Sequence, residues 1–112
     1  MNVHKGTPAV RSSLFGGRGD VRVFNLLQSL APPFTAVLSC ELAPNGIVGA
    51  HVQEAYPEVV IGLEGDGVAI VDDHSHALGA GDVVFLPLGA VLRLENQSSE
   101  AWLRYLIIKA QG

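Results

Sequence analysis

The sequence predicts an all-β fold, a sandwich or small barrel of short strands. Three observations carry that reading. Short apolar runs recur along the chain at strand length. The 13 Gly and 6 Pro fall between those runs rather than inside them. Within the runs side chains alternate with a period of two, and no long helical period is in evidence.

Nine segments qualify as strands: Val21–Gln28, Phe34–Leu42, Ile47–Glu54, Glu58–Leu63, Gly67–Asp72, a short piece at His76–Leu78, Val83–Leu86, Val91–Glu95 and Trp102–Lys109. Their separators carry turn chemistry: Pro32-Pro33, Pro44-Asn45-Gly46, Gly65-Asp66-Gly67, Asp72-Asp73, Gly79-Ala80-Gly81-Asp82, Pro87 and Asn96 to Ser99. In the second segment Phe34, Ala36, Leu38, Cys40 and Leu42 share one face, so Cys40 belongs to an apolar surface. Glu58–Leu63 is apolar on both faces, as a strand covered on each side should be. In the last segment Trp102 and Arg104 share one face, and Leu103, Tyr105 and Ile107 the other. Residues 1–20, with the cluster Gly16-Gly17-Arg18-Gly19-Asp20, read as an N-terminal arm or peripheral strand; residues 21–112 read as one barrel domain. The tripeptide Arg18-Gly19-Asp20 is given no adhesive role, because the start MNVHKGTPAV is no secretion signal.

The 112 residues have room for one core. At 48% hydrophobic and 16% charged, the chain must bury both faces of its strands or hide a surface in an oligomer, and a homodimer is expected. Seven basic residues and a net charge of -4 leave no stripe to neutralise phosphates, so nucleic acid is not an expected partner. No apolar run approaches the roughly 18 residues of a spanning helix, so no membrane partner is expected either. The lone Cys40 closes no intrachain disulfide, which agrees with a cytoplasmic setting.

The chemistry concentrates in Gly46-x4-His51-x-Gln53-x4-Glu58-x6-Gly65. His51 and Gln53, two apart in a strand, leave the same face. Glu58 follows the turn-compatible Ala55-Tyr56-Pro57, and a returning strand would bring its carboxylate to the same point. Three polar groups inside an apolar shell must satisfy one another, a metal or a ligand. A second block runs Gly81-x5-Pro87-x-Gly89-x2-Leu92-x3-Asn96.

Together the two blocks resemble the paired signature of the cupin superfamily, in particular the small single-domain conserved-barrel (RmlC-like) cupins. The resemblance covers Gly46 through Asn96 and implies a double-stranded β-helix, a jelly-roll-like antiparallel barrel. It also implies metal ligands: two His and a Glu from the first block, and a further His from the second. Here His51 and Glu58 match, Gln53 stands at the second His position, and Leu92 stands at the last. The set is degenerate, since an amide is a weak donor and leucine none.

The leading expectation is therefore a small-molecule pocket. His51, Gln53 and Glu58 form its polar floor, Leu92 is an apolar wall, Tyr56 caps it, and Arg104 is an anion hook if it points inward. His51 and Glu58 are the candidate acid–base pair, with Glu58 raised by burial and drawn back by His51. The alternative is a mononuclear-metal enzyme of dioxygenase or isomerase type, with one divalent ion (iron, zinc, manganese or nickel) on His51, Gln53 and Glu58. A non-catalytic dimeric regulatory or interaction module is the third reading. His74 and His76 are expected in a solvated turn, and Cys40 as a core residue rather than a ligand.

Overall fold

The computed structural model describes residues 6–27 and 29–111. The first five residues of the expected N-terminal arm, Gln28 at the end of the first expected strand, and Gly112 lie outside the described residues. Ten strands are present among the described residues: β1 Ala9–Ser12, β2 Asp20–Asn25, β3 Phe34–Leu42, β4 Ile47–Val52, β5 Glu58–Glu64, β6 Asp66–Val71, β7 His74–Gly79, β8 Val83–Leu86, β9 Val91–Asn96 and β10 Leu103–Ala110. All nine expected strands are found, with ends displaced by up to three residues. The tenth, β1, falls in the stretch expected as an arm or peripheral strand, and runs antiparallel to β2 as an exposed edge.

The strands form two antiparallel sheets, a six-stranded one in the order β1-β2-β3-β10-β5-β8 and a four-stranded one in the order β4-β9-β6-β7. Turn residues explain how the chain passes between neighbours. Asp72 and Asp73 both adopt positive φ, 47° and 68°, and close the β6–β7 hairpin with Val71 opposite His74. Two left-handed residues in a two-residue loop match the right-handed twist of the strands they join. The hairpin turn is thus Asp72-Asp73, and both histidines lie in β7 as exposed strand residues, a correction to their expected place in the turn.

Between the sheets the core is solid toward Leu42 and Leu103, where Val60, Ala69, Leu78 and Leu86 are also essentially sealed from solvent. Asn96 fixes this end: its amide nitrogen donates to the Leu42, Ala43 and Ala101 carbonyls at 2.8 to 3.1 Å. That gives the last residue of the second sequence block a structural role. No helix is long and apolar enough to cross a membrane among the described residues.

Candidate functional site

Opposite the solid end, the space between the sheets opens into a cavity of about 350 Å³. Its six-stranded wall carries Val23, Leu38, Cys40, Tyr105, Ile107 and Lys109. Its four-stranded wall carries Val48, His51, Leu92 and Leu94. Alternation places these side chains inward: Cys40 faces Val23 on one neighbouring strand and Tyr105 on the other, all with the same parity. Gln53, Tyr56 and Glu58 also line it, so five of the six expected pocket residues meet here.

The sixth, Arg104, does not. Its register partners are Glu41 and Glu64, and its guanidinium pairs with them at 3.0 and 3.4 Å on the outer face of the sheet. Arg22 joins the same row, 3.5 Å from Glu41 and stacked 3.9 Å over the Trp102 ring. An expected anion hook is therefore a cross-strand ion-pair residue. The reason is parity: Leu103 and Tyr105 take the inward positions, which leaves Arg104 outside.

His51 and Glu58 also differ from the expected pair. The segment between them crosses from the four-stranded sheet to the six-stranded one, so the two residues approach the cavity from opposite walls. The His51 Nδ1 atom lies 3.0 Å from the Gly49 carbonyl oxygen, and the Phe15 ring stacks on the imidazole at 4.0 Å between centroids. Glu58 is 3% exposed, and its Oε2 atom has no hydrogen-bond partner. Burial pushes the Glu58 carboxyl above its usual range, and the Lys109 ammonium partly offsets this. The expected counter-charge was His51; the one present is Lys109, directly opposite Glu58 in the β5–β10 register.

The remaining polar groups are mostly engaged. The Gln53 amide donates to the Tyr56 carbonyl at 2.8 Å, which closes the turn between the two functional residues. Cys40 and Tyr105 are hydrogen-bonded to each other. Burial first, and the nearby Glu58 charge second, push the Cys40 thiol up to about 12, which agrees with a core cysteine. Tyr105 is raised as well, again chiefly by burial.

The donor set fits a divalent ion poorly. Among the described residues no three His, Cys, Asp or Glu side chains come together. The Gln53 amide is already turned to the Tyr56 carbonyl, and Leu92, 1% exposed, presents methyl groups directly opposite His51 on the neighbouring strand.

Sequence reasoning missed two contributors. Lys109 continues the inward parity of Leu103, Tyr105 and Ile107, and that alternation was the signal that could have found it. Leu14 and Phe15, from the short 3-10 turn Leu14–Gly16, cover the mouth of the cavity. They come from the expected arm, which the Arg18–Ile47 backbone pair ties to β4 at 2.7 and 2.8 Å, and their approach requires a bare position: a Cβ on Gly49 would overlap the Phe15 carbonyl. Phe15 itself adopts φ 54°, an unfavourable backbone state that places its ring against His51.

The model of the cupin domain family matches residues 38–109. Among solved structures, a predicted oxalate decarboxylase from Thermotoga maritima is 29% identical over 95% of this chain and 93% of its own, with a TM-score of 0.87. A Cupin 2 conserved barrel domain protein from Salinispora arenicola is 25% identical over 96% and 89%, with a TM-score of 0.68. A cupin-like protein from Thermotoga maritima, 19% identical over 99% and 82% with a TM-score of 0.81, shares the fold. No protein of curated function matches the chain.

Proposed function

Because the chain belongs to the cupin family, we propose that its barrel binds one small organic molecule, without the full metal-ligand set, in the cavity between the sheets. The observation that carries this reading is the Glu58 Oε2 atom, buried and unpartnered in a chamber that is otherwise mainly apolar. An orphaned buried acceptor costs about 1–3 kcal/mol, which a ligand donor would recover. The volume falls within the roughly 300–1,000 Å³ typical of small-molecule pockets.

The metal-enzyme reading draws its support from the Thermotoga neighbour described as a predicted oxalate decarboxylase. The donor set speaks against it, so the ligand-binding reading is preferred. A chemical-shift titration with a panel of small acids, alcohols and sugars tests the choice. Perturbations are expected at His51, Glu58, Leu92 and Tyr105. They should vanish in Val23→Phe, which narrows the chamber from a half-buried wall position. Perturbations confined to the outer face of the six-stranded sheet, or binding untouched by Val23→Phe, would remove the cavity from consideration.

A further inference from the structure

The polar pole of the cavity sets two opposite charges against each other. Glu58 and Lys109 are opposed in register on β5 and β10, and both line the chamber. Glu54, exposed at the mouth, is a second carboxylate, and Lys109 is the one ammonium among the described lining residues. The buried Glu58 and Lys109 charges oppose each other, so an entering ion is attracted by one and repelled by the other and gains little to offset the loss of its own hydration, while Glu54 at the mouth is exposed to screening solvent.

A hydroxyl group meets the pole differently. It donates one hydrogen and accepts another, so a single oxygen can donate to Glu58 Oε2 and accept from the Lys109 ammonium. The other buried polar groups of the wall leave little further demand: Cys40 and Tyr105 are bonded to each other, and the Gln53 amide to the Tyr56 carbonyl. On the opposite wall the His51 Nδ1 atom lies 3.0 Å from the Gly49 carbonyl oxygen, and apart from this ring and the Tyr56 hydroxyl the rest of the lining is aliphatic or aromatic. About a dozen water-sized groups, at roughly 30 Å³ each, would fill the space.

We infer that the cavity selects a small, uncharged, apolar molecule carrying one hydroxyl, an alcohol or a phenol, whose oxygen bridges Glu58 and Lys109. The inference rests on the small-molecule reading above and narrows it. It also sets this chamber against a dianion such as oxalate.

The test is a chemical-shift titration of the whole chain with five matched probes: toluene, benzyl alcohol, p-cresol, benzoate and benzylamine. Benzyl alcohol or p-cresol is expected to bind roughly tenfold tighter than toluene, benzoate or benzylamine, the gain of one hydrogen bond to a charged group. The tighter of the two assigns the alcoholic or the phenolic class. Lys109→Met should reduce the hydroxyl advantage and strengthen benzylamine binding, while Lys109→Arg should keep the preference. Circular dichroism checks that both variants are folded. Benzoate binding as tightly as benzyl alcohol, or a hydroxyl advantage unchanged in Lys109→Met, overturns the inference. If toluene binds and a hydroxyl adds nothing, this inference alone fails. If no probe binds at all, the small-molecule reading fails and takes the inference with it.

Discussion

Replacing Leu92 by histidine should convert the chamber into a metal site at a measurable cost in stability. Leu92 is directly opposite His51 in the β4–β9 register, where side chains on one face start about 4.5–5.5 Å apart. Two imidazoles so placed can share one zinc ion at about 2.0–2.1 Å each. The leucine is 1% exposed, so losing it forfeits about 1.5–3 kcal/mol of burial. The new ring nitrogens lack partners and add a penalty of similar size, which brings the loss to about 3–6 kcal/mol. For a chain of this length that corresponds to a Tm lower by roughly 12–24 °C. Zinc at a hundred times its Kd should return about 2.7 kcal/mol, half or more of the loss. Thermal unfolding of wild type and Leu92→His, each with chelator and with zinc, reads both numbers. The reasoning is refuted if wild type gains as much from zinc as the variant. It is refuted equally if His51→Ala in the Leu92→His background leaves the zinc gain intact.

Four further outcomes are expected. The folded chain holds the Glu58 proton to higher pH than the unfolded chain, so stabilisation from this group is full below its usual 4.5 and is lost as pH rises through the folded value. Glu58→Gln should therefore lose less Tm than wild type between pH 4.5 and neutrality, and equal slopes would contradict the burial argument. Cys40, 2% exposed and raised to about 12, should resist alkylation at pH 8 until denaturant is added; rapid labelling of the folded chain would show otherwise. Arg104→Ala should cost about 1–2 kcal/mol, because it leaves the buried Glu41 with less counter-charge, and it should leave probe binding in the cavity unchanged; weakened binding would return Arg104 to the site. The proposed homodimer would use the outer face of the six-stranded sheet, where Val83 and Phe85 are 63% and 61% exposed. Light scattering should then give a dimer for wild type and a monomer for Phe85→Lys, and a monomeric wild type dismisses it.

The strands were legible in the sequence because turn residues do their work locally. Asp72-Asp73 and Asn45-Gly46 mark bends by backbone preference alone, without reference to distant chain. Inward parity was equally legible, and it brought His51, Gln53, Tyr56, Glu58 and Leu92 to one chamber. What alternation cannot give is which sheet a strand joins. Spacing alone suggests that the strand after the turn returns Glu58 to the face of His51, yet β5 joins β10 and β8, so the carboxylate approaches the chamber from the opposite wall. Alternation also leaves open which of two faces is the inner one, and for that reason it does not decide the direction of Arg104. The ring of Phe15 was invisible for another: its position depends on a left-handed backbone and on the bare Gly49 opposite.

Leu14, Phe15, Val21 and Val23 all line the chamber, and all lie ahead of the 38–109 span by which the family is recognised. Two cupins with the same barrel signature and different leading segments would therefore enclose differently shaped space around the same polar pole. The shape of the chamber can thus change by exchange of the short turn that carries Leu14 and Phe15, while β2 and the rest of the sheets stay in place.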